Sequence, residues 1–136
     1  MRARTVLAAA VLLTAALAPL AHAEGTDALT VDAYGTVTAD GTVTVSGTYR
    51  CLDDGEGPVF ISSALKQGNR STGIGGTRAV CDGHLHAWAN SAVVTRPSYR
   101  QGPARVEATL MQLTAGESGL PRPDFLAAEQ ADVELR

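Results

Sequence analysis

From Thr42 to Cys51 the chain alternates without a break: Val43, Val45, Gly47, Tyr49 and Cys51 fall on one side, and Thr42, Thr44, Ser46, Thr48 and Arg50 on the other. A period of two over this length fits a β-strand with one buried face and one wet face, because a helix would spread the same apolar positions around its circumference. The run ends in one of the two cysteines of this 136-residue chain. An all-β domain with a one-sided core is the starting expectation.

The same period recurs along the chain. Leu29, Val31 and Ala33 alternate with Thr30, Asp32 and Tyr34. Thr36-Val37-Thr38 then runs into Asp40-Gly41, which predicts a type I′ hairpin turn, with a kink or bulge at Gly35. Further strands are expected over 59–67, 71–81, 84–95, 104–113 and 129–135, the last with Ala131, Val133 and Leu135 inward, while the face of Trp88 stays open. Asp82-Gly83 reads as the turn into the fifth strand. The stretch 116–125, with Gly119, Pro121 and Pro123, is expected to form no regular element, and 125–130 has room for one helical turn. About seven short strands with frequent turn signals predict an all-β, two-sheet antiparallel β-sandwich.

The first residues have a different grammar. Arg2 and Arg4 precede an apolar run over 6–20, and Ala21-His22-Ala23 is an A-x-A cleavage site, so 1–23 reads as an export signal peptide and 24–136 as a single domain. The apolar run is shorter than the roughly 20 residues of a membrane span, so no span is expected after cleavage. No cysteine marks a lipid attachment point there, and the chain ends in Glu134-Leu135-Arg136 without an apolar tail. A secreted, extracellular protein is expected.

Without Arg2 and Arg4, nine basic residues face 14 acidic ones, a net charge near −5. Arg50, Arg70, Arg78, Arg96, Arg100, Arg105 and Arg122 are scattered singly, with Lys66 the sole lysine. That pattern lacks the basic stripe of a nucleic-acid binder and disfavours polyanion binding in general. The scarcity of lysine beside abundant Ala, Gly, Thr and Val fits high-GC bacterial coding.

Cys51 continues the inward face of its strand, and Cys81 closes another strand 30 residues later. In an exported domain this pair is expected to form a buried disulfide between strands. A redox pair would more often be spaced C-x-x-C, and a metal site would need further ligands.

Gly47-Thr48-Tyr49-Arg50-Cys51, the segment 74–83 containing Ala79-Val80-Cys81-Asp82-Gly83 with Trp88 soon after, and Gly102-Pro103-Ala104-Arg105-Val106 resemble a family of small secreted actinobacterial domains of unknown function. The resemblance implies a secreted sandwich and brings no activity, substrate or cofactor with it. More distantly, the layout is similar to the immunoglobulin-like sandwich of chromoprotein antibiotic carriers, which use two disulfides where this chain has one.

Three local groups carry chemistry. Asp82, His84 and His86 would share one face of an extended chain and could offer two imidazoles and a carboxylate to zinc or copper, although a turn at Asp82-Gly83 would break that parity. Asp53, Asp54 and Glu56 place three carboxylates in a glycine-rich loop, as hard cations prefer, without the spacing of a known calcium loop. Neither is expected to hold a metal. Asn69-Arg70-Ser71 matches the glycosylation acceptor pattern by chance in a bacterial sequence.

Enzyme signatures are sparse. No G-x-S-x-G element is present, and Glu107, Asp124 and Glu129 are the carboxylates from which a sugar-hydrolysing pair would be drawn. No cofactor is expected. The reading is a non-catalytic binding module that acts through loops 52–58, 94–103 and 116–125 on an extracellular protein or cell-envelope component. Leu120, Phe125 and Leu126 are expected to cap an open end of the core. The alternatives are a protease inhibitor presenting 113–121, unlike the cysteine-richer subtilisin-inhibitor family, and a small hydrolase.

Overall fold

The computed structural model describes residues 27–136 apart from Asp54; the expected leader 1–23 lies outside the described residues. The described chain is eight strands and no helix: β1 (Ala28–Leu29), β2 (Tyr34–Val37), β3 (Thr42–Arg50), β4 (Val59–Gln67), β5 (Arg70–Arg78), β6 (His86–Val93), β7 (Gly102–Ala115) and β8 (Pro121–Leu135). In one layer β3 pairs with β6 on one edge and with β1 and part of β2 on the other. The second layer runs β8-β7-β4-β5. Strand β2 serves both, because Thr36 and Val37 pair with β3 whereas Tyr34 and Gly35 make a parallel pairing with the end of β8.

The core lies between the layers. Every β3 position that the period assigned inward is buried, and Val43, Val45 and Tyr49 pack with Trp88 of β6 against Ile61, Leu65, Ile74, Val106 and Leu110 of the other layer. Burial of each such aliphatic side chain contributes about 1.5–3 kcal/mol. Trp88 faces inward opposite Gly47, and its Nε1 donates to the Thr30 carbonyl at 3.0 Å. Asn90 is a buried polar tie between the layers. Its Nδ2 donates to the Ile61 carbonyl at 3.1 Å and to Ser63 Oγ at 2.9 Å, and its Oδ1 accepts from Thr77 Oγ1 at 2.6 Å. Such a network is stable only when its members are all satisfied.

Several local expectations are corrected. The turn before β3 is not type I′: Gly41 N donates to the Thr38 carbonyl at 3.0 Å, and only Gly41, not Asp40, has positive φ. That is a longer turn closed by a left-handed glycine. Strand β5 stops at Arg78, so Cys81 lies beyond it. Asp82-Gly83 is not a hairpin between β5 and β6, since those strands belong to different layers.

The largest correction concerns 116–130, where β8 already begins at Pro121 and continues through the expected helical turn. Pro121 and Pro123 stand opposite Ala115 and Leu113. Two residues apart, both turn their ring nitrogens the same way, toward an edge that β2 reaches only at Glu134 and Leu135. Proline on such an edge forfeits no ladder bond and discourages pairing with another chain. Leu110 pairs with Ala127 and Met111 with Phe125, which makes Leu126 a bulge. The extra residue reverses which side chains face inward, and Phe125 is sent outward beside Met111.

Candidate functional site

The sandwich has two ends, and the candidate residues divide between them. At one end Cys51, fully buried, is bonded to half-buried Cys81 with the Cα atoms 4.5 Å apart. Leu52 bridges Asp82, and Gly83 N donates to the Cys51 carbonyl at 2.8 Å. The disulfide therefore pins the segment that crosses between layers instead of joining two strands directly. The Tyr49 hydroxyl holds the same segment by accepting from Val80 N at 2.8 Å.

Asp82, His84 and His86 meet only in part. Asp82 Oδ1 lies 2.7 Å from His86 Nε2 and accepts from the His84 backbone N–H at 2.9 Å, while the His86 ring stacks on Tyr49 at 5.5 Å. The hydrogen bond to the His86 ring, and then that from His84 N–H, hold the Asp82 carboxyl below its ordinary pKa. The turn at Gly83, with φ of 80°, breaks the parity that would have aligned the three side chains. Among the described residues no group of three or more His, Cys, Asp or Glu is placed to hold a metal ion.

The other carboxylates also diverge. Asp53 accepts from Gly55 N at 2.9 Å and lines a 250 Å³ cleft with Arg78, whereas Glu56 lines a different one with Leu113 and Pro121; Asp54 lies outside the described residues. Glu107 sits opposite Gln130 on the outer face of the β7–β8 pair, with Lys66 Nζ at 2.8 Å, whereas Glu129 stands opposite buried Ala108 on the inner face. Asp124 shares the inner face with Glu129 but lies roughly 16 Å away at about 3.3 Å per residue, beyond the roughly 5–9.5 Å of a glycosidase pair.

The 113–121 segment is two paired strand ends around a tight turn, in which Gly116 N donates to the Leu120 carbonyl at 3.0 Å. Leu120 and Phe125 do not cap the core, being 69% and 66% exposed; Leu126 alone of the three packs against it.

At the opposite end, the β4–β5 turn and the β6–β7 loop enclose a 460 Å³ cleft lined by Gln67, Asn69, Arg70, Ser98, Arg100 and Gln101 among others. Strands β4 and β7 are antiparallel neighbours, with Lys66 opposite Arg105, so the end of one and the start of the other bring these loops together. Gln67 fastens them: its Nε2 donates to the Arg100 carbonyl at 2.9 Å, and its Oε1 accepts from Arg100 N at 3.0 Å. Buried Tyr99 donates its hydroxyl to the Leu65 carbonyl at 2.8 Å. The Arg70 guanidinium lies 4.5 Å above the Tyr99 ring and donates to the Pro97 carbonyl. Loop 94–103 was expected to be a surface of interest, but Gln67, Asn69 and Arg70 were not. A signal for them exists in the sequence, since 67–81 and 83–106 contain no Asp or Glu in an otherwise acidic chain.

The profile of a family of unknown function, DUF6299, matches residues 25–136. The chain belongs to this family. DUF6299 thus spans every strand described above. No curated protein matches the chain. Among solved structures, it is similar to the Pseudomonas fluorescens alkylpurine DNA glycosylase AlkC bound to DNA containing an abasic site analog, with 14% identity and a TM-score of 0.41 over 83% of this chain and 30% of that one. The chain therefore spans less than a third of that protein's length, and a likeness at this score bears on neither fold nor function.

Proposed function

We propose that this DUF6299 chain is a secreted, non-catalytic binding module of immunoglobulin-like build whose binding surface is the cleft between the β4–β5 turn and the β6–β7 loop. The observation that carries the reading is the fixed Arg70, held by the Tyr99 ring on one side and the Pro97 carbonyl on the other. Ordering a long cationic side chain costs conformational entropy, and a site whose side chains are ordered in advance loses less on binding. The cleft lining offers guanidinium, amide and hydroxyl groups, which hold ligands and do not transfer protons readily at neutral pH. Support for an extracellular setting comes from the disulfide. The pairing of β3 with β6 and of β8-β7-β4 in the facing layer supports the immunoglobulin-like comparison.

The partner is an extracellular protein or a cell-envelope component. Retention of the labelled protein on washed cell envelope and on concentrated culture supernatant tests the reading, with Arg70→Gln/Arg100→Gln compared with Leu120→Ser/Phe125→Ser. Retention lost only in the arginine pair is expected. Retention that survives in the arginine pair refutes the assignment of the surface.

A further inference from the structure

We propose that the cleft takes an anionic sugar, a carboxylate- or phosphate-bearing unit of an extracellular glycan, with Arg70 and Arg100 on the anion and Asn69, Ser98 and Gln101 on neighbouring hydroxyls. The proposal rests on the binding-surface reading above and adds the ligand class.

Charge placement is the first reason. The arginines that looked scattered in sequence are gathered by the fold: of nine basic residues in the described chain, Lys66, Arg70, Arg96, Arg100 and Arg105 lie on or beside the two loops of this end. Lys66 is matched by Glu107. Among the described residues Arg70 has no carboxylate partner, and the oxygen its guanidinium meets is a neutral carbonyl. The carboxylates at the same end, Asp40, Asp132 and Glu134, do not line the cleft. Asp40 is turned to its own turn, where its Oδ1 accepts from the Thr38 hydroxyl and from Thr42 N. A cationic cleft is thus maintained on a chain whose net charge is −3.

Residue type is the second. A guanidinium presents paired N–H donors that match a carboxylate or phosphate edge, and a stack on an aromatic ring fixes its plane. Amide and hydroxyl side chains around it suit a ligand studded with hydroxyl groups. The volume falls within the roughly 300–1,000 Å³ of small-ligand sites. An adjoining 330 Å³ groove shares Gln67, Gly68 and Pro103 and adds Lys66, Ala104, Arg105 and Asp132; with the Asp132 carboxylate in its lining, this groove suits a neutral unit of a polymer better than a second anionic one.

Nucleic acid fits less well. Single-stranded binding needs open aromatic faces for base stacking, and Tyr99 is buried with Arg70 over its ring. The five basic groups of this end also cluster around the loops and form no stripe along the sandwich.

Calorimetric and ¹⁵N NMR titrations of the protein with trigalacturonate, glucose 6-phosphate, neutral maltotriose, inorganic phosphate and a short oligothymidylate test the proposal. Binding by a charged sugar is expected, with amide shifts in 67–70 and 98–101 and an affinity that falls with added salt. Loss of one charge-assisted contact, by Arg100→Gln or Arg70→Gln, should weaken it roughly tenfold or more. The Arg100 side chain is exposed, so Arg100→Gln should melt with the parent and serves if Arg70→Gln loosens the loop. The trigalacturonate and glucose 6-phosphate arms separate a carboxylate from a phosphate source. Failure of both charged sugars, equal binding of maltotriose or of free phosphate, or tighter binding of oligothymidylate would overturn the proposal. Cleft-dependent retention on envelope combined with failure of both sugars removes the ligand class alone; retention independent of the cleft removes both readings.

Discussion

Replacing Gly47 by alanine would put a methyl carbon 1.9 Å from the Thr30 carbonyl oxygen and 2.8 Å from Trp88 Nε1, separations that no folded chain tolerates unrelaxed. The neighbourhood is a junction. Trp88 donates to that same Thr30 carbonyl, Thr30 N donates to the Thr48 carbonyl at 2.8 Å, and Thr48 N donates to Thr30 Oγ1 at 3.0 Å. To admit the methyl group, either the 30–32 segment moves away from β3 or the indole moves out. Overpacking of this kind costs about 1–3 kcal/mol, and a buried indole N–H left without its partner costs about 1–3 kcal/mol more. The lower chain entropy of alanine returns about 0.5–1 kcal/mol. The net is a loss of about 1–5 kcal/mol, or roughly 4–20 °C in Tm for a domain of this size.

Thermal denaturation followed by circular dichroism measures the loss, and fluorescence of the single tryptophan reports whether the indole has moved. Gly73→Ala is the matched control, being a strand glycine with nothing within 4 Å of the added methyl and no positive φ. It should melt within about 1 kcal/mol of the parent or slightly above it. If Gly47→Ala melts together with Gly73→Ala and leaves the emission unchanged, the close approach of Thr30 and Trp88 does not exist in solution and the reasoning fails.

Reducing the disulfide, or making Cys51→Ser/Cys81→Ser, opens a loop with a sequence separation of 30 and should cost about 3–4 kcal/mol; a melting curve insensitive to reductant would contradict this. Asn90→Ala removes the ties to Ile61, Ser63 and Thr77 and should cost about 2–4 kcal/mol, read as a lower urea midpoint. Because Asp82 has a folded pKa below its ordinary value, its contribution is present above the unfolded pKa and is lost as pH falls through the folded one. Acid titration of stability should accordingly be shallower for Asp82→Asn than for the parent, and parallel curves would show that the contact with His86 does not form. Pro121→Thr/Pro123→Thr restores two donors to the free edge of β8 and should promote self-association, visible as a concentration-dependent shift in size-exclusion elution.

Strand β3 was legible because its alternation is strict and its two sides differ cleanly in polarity; the structure buries each inward residue. Strand β8 was half legible. A proline counts against a strand when nothing is known of its neighbours, and only the pairing order shows that Pro121 and Pro123 face an edge with no ladder to break. Asp82-Gly83 likewise signals a reversal of the chain without saying which layer the next strand joins. The disulfide pairing followed from there being two cysteines, but its place beyond β5 depended on where that strand ends. At the cleft, loop composition singled out 94–103, whereas 68–70 only separated two expected strands. Arg70 looked like an isolated charge because Tyr99 and Pro97, which hold it, and Arg100, which lines the same cleft, are about 30 residues away in sequence.

Net charge says nothing of how the charges are distributed over the surface. A uniform distribution of the excess acid would repel an anion from every side, but screening at physiological salt limits that repulsion to about 8 Å, so a ligand responds to the charges of the end it approaches. Asp53, Glu56, Asp82 and Glu117 lie at the disulfide end, set there by the β3, β5 and β7 termini. The antiparallel pairing of β4 with β7 sends the carboxylate-free stretches 67–81 and 83–106 to turn together at the other end. An acidic protein folded this way is electrically lopsided, and the proposed anion site lies at the end where the arginines gather.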